Sequence, residues 1–193
     1  MVGGELRGRR FRGPVTRGTR ATSDRVREAL ASALDARDAF AGARVLDLFA
    51  GTGALTFEAL SRGARHAVAV ERDRRAATSI RRSAAELGLR DRVRVLGLDL
   101  RRDPREIAAR LGREGGPYDL VLADPPYDEV ECVAPLIRAL AAAAGLAPDA
   151  LVAIEHASRQ APEDLRGLAS VARYEYGDTA VWLLTARHGE TDG

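Results

Sequence analysis

The chain has 193 residues, of which 46% are hydrophobic and 30% are charged, with one cysteine and no lysine. That length suits one compact α/β domain with a short arm, and the lone Cys132 excludes an internal disulfide framework or a zinc cluster. No apolar run reaches the roughly 18 residues of a membrane span, and no apolar stretch follows the arginine-rich beginning as in a signal peptide, so we expect a cytoplasmic protein.

The positive charge is concentrated at the beginning of the chain. Residues 1–27 contain eight arginines and two acidic residues, although the whole chain has a net charge of only +2. Glycines separate these arginines, and such an arm is suited to following a phosphate backbone, with a solvated, partly disordered tail as the alternative. The arginines of this arm are Arg7, Arg9, Arg10, Arg12, Arg17, Arg20, Arg25 and Arg27.

In chain order, the hydrophobic pattern predicts a helix and then short apolar runs that alternate with amphipathic segments. The apolar runs end at turn residues, and the amphipathic segments begin at capping residues and end at glycines. The predicted strands are residues 44–49, 66–71, 92–96, 118–123, 151–156, 171–176 and 179–184. The predicted helices are one that Thr22 or Ser23 caps, then 54–62, 73–88, 103–112 and 129–144, the last of which Pro135 either kinks or begins.

Buried strands that alternate with helices predict a mostly parallel sheet covered by helices on both faces. The C-terminal ends of such strands meet along one edge, where open α/β sheets bind ligands. The last two strands flank Gly177-Asp178, a two-residue hairpin turn that predicts one antiparallel strand at the edge of the sheet. We therefore expect a seven-stranded Rossmann-like domain in residues 41–187, after an arm and capping helix in 1–40 and before a polar tail in 188–193.

A glycine turn follows the first predicted strand, in the sequence from Asp47 to Gly53. Its glycines allow a sharp turn and a close approach of the backbone to a ligand. A dinucleotide-binding loop would have a third glycine where this chain has Thr56, and no acid beside the ligand. Asp47 is therefore better suited to a ligand with an ammonium or sulfonium group, and Glu71 ends the next strand where an acid commonly binds ribose hydroxyls. The alternative is an ordinary tight turn and a solvated strand end.

A second motif, Asp124-Pro125-Pro126-Tyr127, follows the fourth predicted strand. Two consecutive prolines fix φ and exclude the α region for the residues before them, which gives a stiff, extended corner. The Asp124 carboxylate and the Pro125 carbonyl can accept the two N–H bonds of an exocyclic amine, while the Tyr127 ring stacks on a flat ligand. A simple surface turn is the alternative.

These motifs resemble those of a known family. The pattern Asp47-x-Phe49-x-Gly51-x-Gly53 with Glu58-Ala59, together with residues 124–127, is similar to motifs I and IV of the class I S-adenosylmethionine-dependent amino-methyltransferases. Two further segments, 20–30 and Gly3-Gly4-x-x-Arg7-Gly8-Arg9, narrow the resemblance to the 16S rRNA guanine-N2 methyltransferases of the RsmD type. The resemblance extends from residue 3 to the final hairpin.

The resemblance implies a class I methyltransferase sheet, S-adenosylmethionine as cofactor, and a guanine N2 amine of 16S rRNA as methyl acceptor. It implies the small ribosomal subunit or its assembly intermediate as partner, no metal, and a monomer. The implied cofactor-binding residues are Asp47, Phe49, Gly51, Gly53, Glu71, Asp99 and Leu100. The implied catalytic residues are Asp124, Pro125, Pro126 and Tyr127. The implied RNA contacts are Arg7, Arg9, Arg10, Arg12, Arg17, Arg20 and Arg25.

Three other functions remain open at this point. A DNA adenine-N6 methyltransferase would use the same corner, although only the arm is available to read bases. A catalytically silent NAD-binding module is disfavoured by the missing third glycine and by the Asp124 corner. An RNA-binding assembly factor would leave Asp47, Glu71 and the corner without a role.

Overall fold

The computed structural model describes residues 1–9, 11, 24–126, 128–159 and 168–186. They belong to two units, residues 1–99 and residues 100–193. Several predicted site residues lie outside the described residues, and so does the predicted tail, 188–193. These are Arg10, Arg12, Arg17, Arg20 and Tyr127, together with the side chain of Arg25.

In the described residues of the first unit, three α-helices alternate with three short apolar strands. Its elements are α1 (Asp24–Asp35), β1 (Arg44–Leu48), α2 (Ala54–Ser61), β2 (His66–Val70), α3 (Arg74–Glu86) and β3 (Val93–Leu96). The strands are parallel in the order β3-β2-β1. The predicted cap of α3 is confirmed, since the Asp73 carboxylate accepts the backbone N–H groups of Arg75 and Ala76.

The part of the second unit that the structure describes has two α-helices and four strands. Its elements are α4 (Pro104–Gly115), β4 (Tyr118–Ala123), α5 (Val133–Ala142), β5 (Leu146–Ala157), β6 (Leu168–Tyr176) and β7 (Thr179–Ala186). Helix α4 continues past Gly112, because Leu111 is buried and the Gly116 N–H still donates to the Gly112 carbonyl. Pro135 lies in the first turn of α5, where its missing N–H has no helical partner to lose.

The C-terminal hairpin forms as predicted, but its position in the sheet differs from the prediction. The strands of this unit follow the order β4-β5-β7-β6, so the antiparallel β7 lies between β5 and β6, and β6 is at the edge. The physical reason is the composition of the two strands. In β7 the side chains of Val181, Leu183 and Leu184 are buried, whereas β6 alternates half-buried and exposed residues, as an edge strand can.

The expected fold class is confirmed. The seven strands form a mostly parallel sheet with one antiparallel strand, and helices accompany it in both units. Each unit has its own apolar core, with Leu46, Phe57 and Ile80 buried in the first and Leu120 and Ile137 buried in the second. Among the described helices, none is both long and apolar enough to cross a membrane.

Residues 1–9, called the docked segment below, lie against α2, which the sequence did not predict. Glu58 is only 2% exposed, and its two carboxylate oxygens accept the backbone N–H groups of Val2 and Gly3, each at 2.8 Å. Arg62 donates to the same carboxylate at 2.8 Å and also pairs with Asp35. The docked segment thus provides two of the partners that a buried carboxylate needs.

One turn further along α2, Ser61 completes the docking. Its backbone carbonyl accepts the Glu5 N–H at 2.7 Å, and its hydroxyl accepts the Leu6 N–H at 2.9 Å and donates to the Gly3 carbonyl. A Cβ on Gly4, which has a φ of 73°, would lie 1.8 Å from the Ser61 carbonyl oxygen. Glycine at position 4 is therefore required for this close approach.

Replacing Glu58 with alanine is expected to release the docked segment and lower the free energy of unfolding by about 3 kcal/mol, because Arg62 loses a charged partner and the partly buried N–H groups of Val2 and Gly3 lose their acceptor. Tryptic cleavage after Arg7 and Arg9 should then become faster. Glu86→Ala is the control, since the exposed Arg82–Glu86 pair should contribute less than about 0.5 kcal/mol. Equal cleavage rates in the Glu58 variant and the unmodified protein would contradict the assigned docking.

Candidate functional site

The glycine turn after β1 is joined to the acid after β2. The Gly51 N–H donates to Glu71 Oε2 at 2.8 Å, and the Asp73 N–H donates to Glu71 Oε1 at 2.7 Å. The parallel pairing of the strands continues into the turn, since the Ala50 N–H donates to the Val70 carbonyl at 2.8 Å. Each carboxylate oxygen of the half-buried Glu71 can accept a second hydrogen bond, which leaves capacity for hydroxyl donors of a ligand.

The backbone of this turn needs its glycines. Phe49, Gly51 and Gly53 have positive φ values of 64°, 53° and 82°. A Cβ on Gly53 would lie 2.9 Å from the Phe57 ring and 3.3 Å from Ile80, whereas a Cβ on Gly51 would have no heavy atom nearer than 3.8 Å. The packing of Phe57 and Ile80 thus leaves no room for a side chain at position 53, whereas the space beside Gly51 is open. This arrangement fits a ligand that approaches the backbone closely.

Asp47 is hydrogen-bonded to Thr56, the residue at the position where a dinucleotide-binding loop would have its third glycine. Its side chain is 1% exposed, and Oδ2 accepts both the backbone N–H and the hydroxyl of Thr56. The carboxylate therefore holds the first turn of α2 against β1. A direct contact of Asp47 with the cofactor stays a prediction.

The other predicted cofactor residues differ in their accessibility. Phe49 and Asp99 are half-buried, while the Leu100 side chain is only 4% exposed. Asp99 belongs to the first unit and Leu100 to the second. Their contact with an adenine ring stays a prediction.

The proline corner follows β4 directly, as predicted. Asp124 and Pro126 are half-buried, and Pro125 is buried. The turn is closed by a hydrogen bond from the Glu129 N–H to the carbonyl of Pro126, at 2.8 Å, and not to that of Pro125. The corner thus combines a partly accessible carboxylate with a fixed backbone, a combination that can hold and orient an amine.

Two of the predicted RNA contacts lie in the docked segment. Arg7 and Arg9 are exposed, and Arg9 Nη2 lies 3.5 Å from the Glu86 carbonyl oxygen at the end of α3. Phe11 packs on the buried Phe57 ring, with ring centroids 4.9 Å apart. The docked segment therefore holds the first arginines of the arm at fixed positions on the first unit.

A comparison with known protein families decides the classification. Residues 1–185 match the family described as Conserved hypothetical protein 95. The chain belongs to this family. Together with named relatives of the chain, this match confirms the resemblance to RsmD-type methyltransferases.

The relatives of the chain are described as methyltransferases. YlbH of Bacillus subtilis, named as a candidate rRNA methyltransferase, is 31% identical over 188 residues, which are 97% of this chain and 98% of YlbH. Ribosomal RNA small subunit methyltransferase D of Escherichia coli K12 is 36% identical over 127 residues, 66% of this chain and 59% of that protein.

Solved structures share the fold. YhhF of Escherichia coli, described as a candidate methyltransferase, is 30% identical with a TM-score of 0.81, and the match covers 98% of both chains. An RNA methyltransferase from Salinibacter ruber, solved with S-adenosyl-L-homocysteine, is 18% identical with a TM-score of 0.62. That match covers 90% of this chain and 97% of the Salinibacter chain, and it shows the fold alone.

Sequence reasoning missed three structural contributors in and beside the site. Thr56 binds Asp47, Glu58 binds the docked segment, and Phe57 packs beneath Gly53. The available signal was Glu58, a single charged residue within the mostly apolar segment Ala54–Ser61. Such an acid needs partners, and the glycine pair at positions 3 and 4 offers backbone N–H groups without side chains in the way.

Proposed function

We propose that this protein transfers a methyl group from S-adenosylmethionine to the exocyclic N2 amine of a guanine in 16S ribosomal RNA, on the small subunit or its assembly intermediate. In this proposal Gly51, Gly53 and Glu71 bind the cofactor, and Asp124 with the Pro125 carbonyl binds the amine. An enzyme with this substrate acts in the cytoplasm, where ribosomes are assembled.

The corner after β4 is the observation that carries the proposal. A partly exposed Asp124 precedes a buried Pro125, whose carbonyl is not the one that closes the turn. Two acceptors on a rigid backbone match the two N–H groups of an exocyclic amine. The glycine turn supports the same function, because Gly51, Gly53 and Glu71 fit a cofactor with ribose hydroxyls. The named relatives support ribosomal RNA as the substrate class.

S-adenosylmethionine, when bound, supplies a methyl group activated on a sulfonium. In the proposed complex Glu71 accepts ribose hydroxyls, and the turn at Gly51 and Gly53 receives the methionine end. Asp124 and the Pro125 carbonyl accept the two N–H bonds of the guanine amine, which favours a pyramidal nitrogen and directs its lone pair. The nitrogen would form a bond to the methyl carbon while the bond from that carbon to the sulfonium sulfur breaks, which would release S-adenosylhomocysteine, and Asp124 or water would take the proton that the nitrogen loses. Positioning of this kind can lower the barrier by up to roughly 7–11 kcal/mol.

The direct test is transfer of tritiated methyl groups to protein-free 16S rRNA, to purified small subunits and to DNA in parallel. We expect incorporation into RNA or subunits, with the label recovered as N2-methylguanine after digestion and mass spectrometry. Incorporation into DNA adenine would favour the alternative enzyme. No incorporation into any of the three, with S-adenosylmethionine bound in calorimetry, would contradict the proposal.

Replacing Glu71 with alanine is expected to lower the affinity for S-adenosylmethionine about 10- to 100-fold, because hydrogen bonds to a charged group contribute about 1.5–3 kcal/mol. Titration calorimetry measures this effect directly. Asp91→Ala is the matched control, since Asp91 is an exposed acid of the same unit, before β3, and should leave the affinity unchanged. An unchanged affinity in the Glu71 variant would remove this residue from the cofactor site.

A further inference from the structure

The solvent face of α3 carries arginines that the proposed mechanism does not use. Arg74, Arg75 and Arg82 are exposed. The buried residues of the helix are Ala76, Ala77, Ile80, Ser83 and Ala84. Arg75 and Arg82 are seven residues apart, so they lie on the same stripe, about 10 Å apart along the helix axis. We call these three side chains the α3 basic face.

Two of these arginines oppose the electrostatics of their own helix. Arg74 and Arg75 occupy the first turn of α3, in which the capping Asp73 just before the helix is followed by no further acid. The N-terminal end of a helix carries partial positive charge, so cations there reduce helix stability. Basic residues that lower the stability of the first turn, with no gain in packing, indicate a functional role.

The α3 basic face connects two functional parts of the first unit. At the end of α3, the Glu86 carbonyl lies near the guanidinium of Arg9 in the docked segment. At its beginning, Asp73 caps the helix and donates its N–H to Glu71, the acid bound to the glycine turn. The 13 residues of α3 span about 20 Å between these two points.

Helix α4 provides a comparison within the same chain. It also exposes three arginines, Arg105, Arg110 and Arg113, but it intersperses them with Glu106 and Glu114. A general preference for arginine over lysine affects both helices alike. Helix α3 has four arginines and a single acid, Glu86, which pairs with Arg82, whereas α4 has three arginines and two acids. The larger net positive charge of α3 therefore reflects its smaller share of acidic residues, and not the general preference for arginine.

We propose that the α3 basic face binds phosphate groups of the RNA substrate, as a continuation of Arg7 and Arg9. This inference rests on the proposed function, because RNA is its partner. Guanidinium groups form paired N–H bonds to phosphate oxygens, and each neutralised phosphate releases counterions. The substrate backbone then follows α3 from the docked segment toward the end of the helix next to Glu71.

The test compares two triple variants, Arg74→Gln/Arg75→Gln/Arg82→Gln and Arg105→Gln/Arg110→Gln/Arg113→Gln. Both remove three positive charges from exposed positions of one helix. Arg81 is left intact, because its Nη2 donates to the Val95 carbonyl at 2.9 Å and supports β3. Binding of a 16S rRNA transcript is measured from 50 to 300 mM salt, and S-adenosylmethionine affinity is measured by calorimetry.

The α3 variant is expected to reduce the slope of log affinity against log salt by about 2, since each single-strand phosphate contact contributes about 0.7. The α4 variant should keep the slope of the unmodified protein, and both should bind S-adenosylmethionine normally. Equal slopes in all three proteins, or equal reductions in both variants, would overturn the proposal, because binding would then not depend on this face.

The same measurements separate this proposal from the proposed function. If the unmodified protein binds RNA with the α3-dependent slope but transfers no methyl group, the methyltransferase proposal fails and the α3 basic face stands. If the protein methylates RNA and the α3 variant keeps the full slope, only the α3 basic face is rejected. An unmodified protein without salt-dependent RNA binding would overturn the α3 basic face.

Discussion

Replacing Asp124 with alanine is expected to reduce methyl transfer about 100-fold or more, by analogy with other preorganised polar groups at reacting centres. The guanine N2 lone pair is delocalised into the ring, so the amine is a weak nucleophile until its N–H groups are held by acceptors. Alanine removes the side-chain acceptor but leaves the Pro125 carbonyl and the proline corner in place. The affinity for S-adenosylmethionine should stay the same, because the predicted cofactor contacts come from other residues.

The measurement is single-turnover transfer to RNA, with cofactor affinity determined separately by calorimetry. Asp128→Ala is the matched control, since Asp128 is an exposed acid four residues further along the chain and should transfer at the original rate. Asp124→Asn keeps one oxygen acceptor without the charge, so an intermediate rate indicates orientation as the main role. Full activity in the alanine variant would mean that the corner does not hold the amine.

The parallel strands and their helices could be predicted because buried runs and capping residues are local signals. The Asp73 carboxylate can cap a helix, and the fixed φ of Pro104 suits the first helical position. Helices α3 and α4 accordingly begin where expected. The place of β7 in the sheet depends instead on which strand of the hairpin buries more apolar surface against β5. That comparison involves residues distant in sequence, so a local pattern predicts the hairpin but not its insertion.

The candidate site also has features that the local sequence predicts and others that depend on residues distant in the sequence. The positions of Glu71 and Asp124 at strand ends follow from the strands themselves, and the structure places both there. The hydrogen bonds of Glu58 to residues 2 and 3 join positions 55 and 56 residues apart in the sequence. Such a pairing has no periodic signature, because it depends on the docked segment folding back onto α2.

Replacing Gly53 with alanine is expected to disrupt the cofactor site more severely than any other single change in the glycine turn. Its φ of 82° costs an L-residue roughly 1–2 kcal/mol. The added Cβ would also lie 2.9 Å from the ring of Phe57 and 3.3 Å from Ile80, and overpacking of this kind costs about 1–3 kcal/mol. Both neighbours are fully buried, so the turn itself must move. A loss of about 2 kcal/mol at the turn corresponds to roughly 30-fold weaker binding of S-adenosylmethionine.

Gly88→Ala separates backbone strain from packing in this prediction. Gly88 has a comparable φ of 75°, but no heavy atom lies within 4 Å of a Cβ built on it. This variant should lose roughly 1–2 kcal/mol of stability and bind S-adenosylmethionine normally. Calorimetry and denaturant unfolding of both variants distinguish the two effects. If Gly53→Ala binds the cofactor as tightly as Gly88→Ala does, the packing of Phe57 beneath the turn does not determine the shape of the cofactor site.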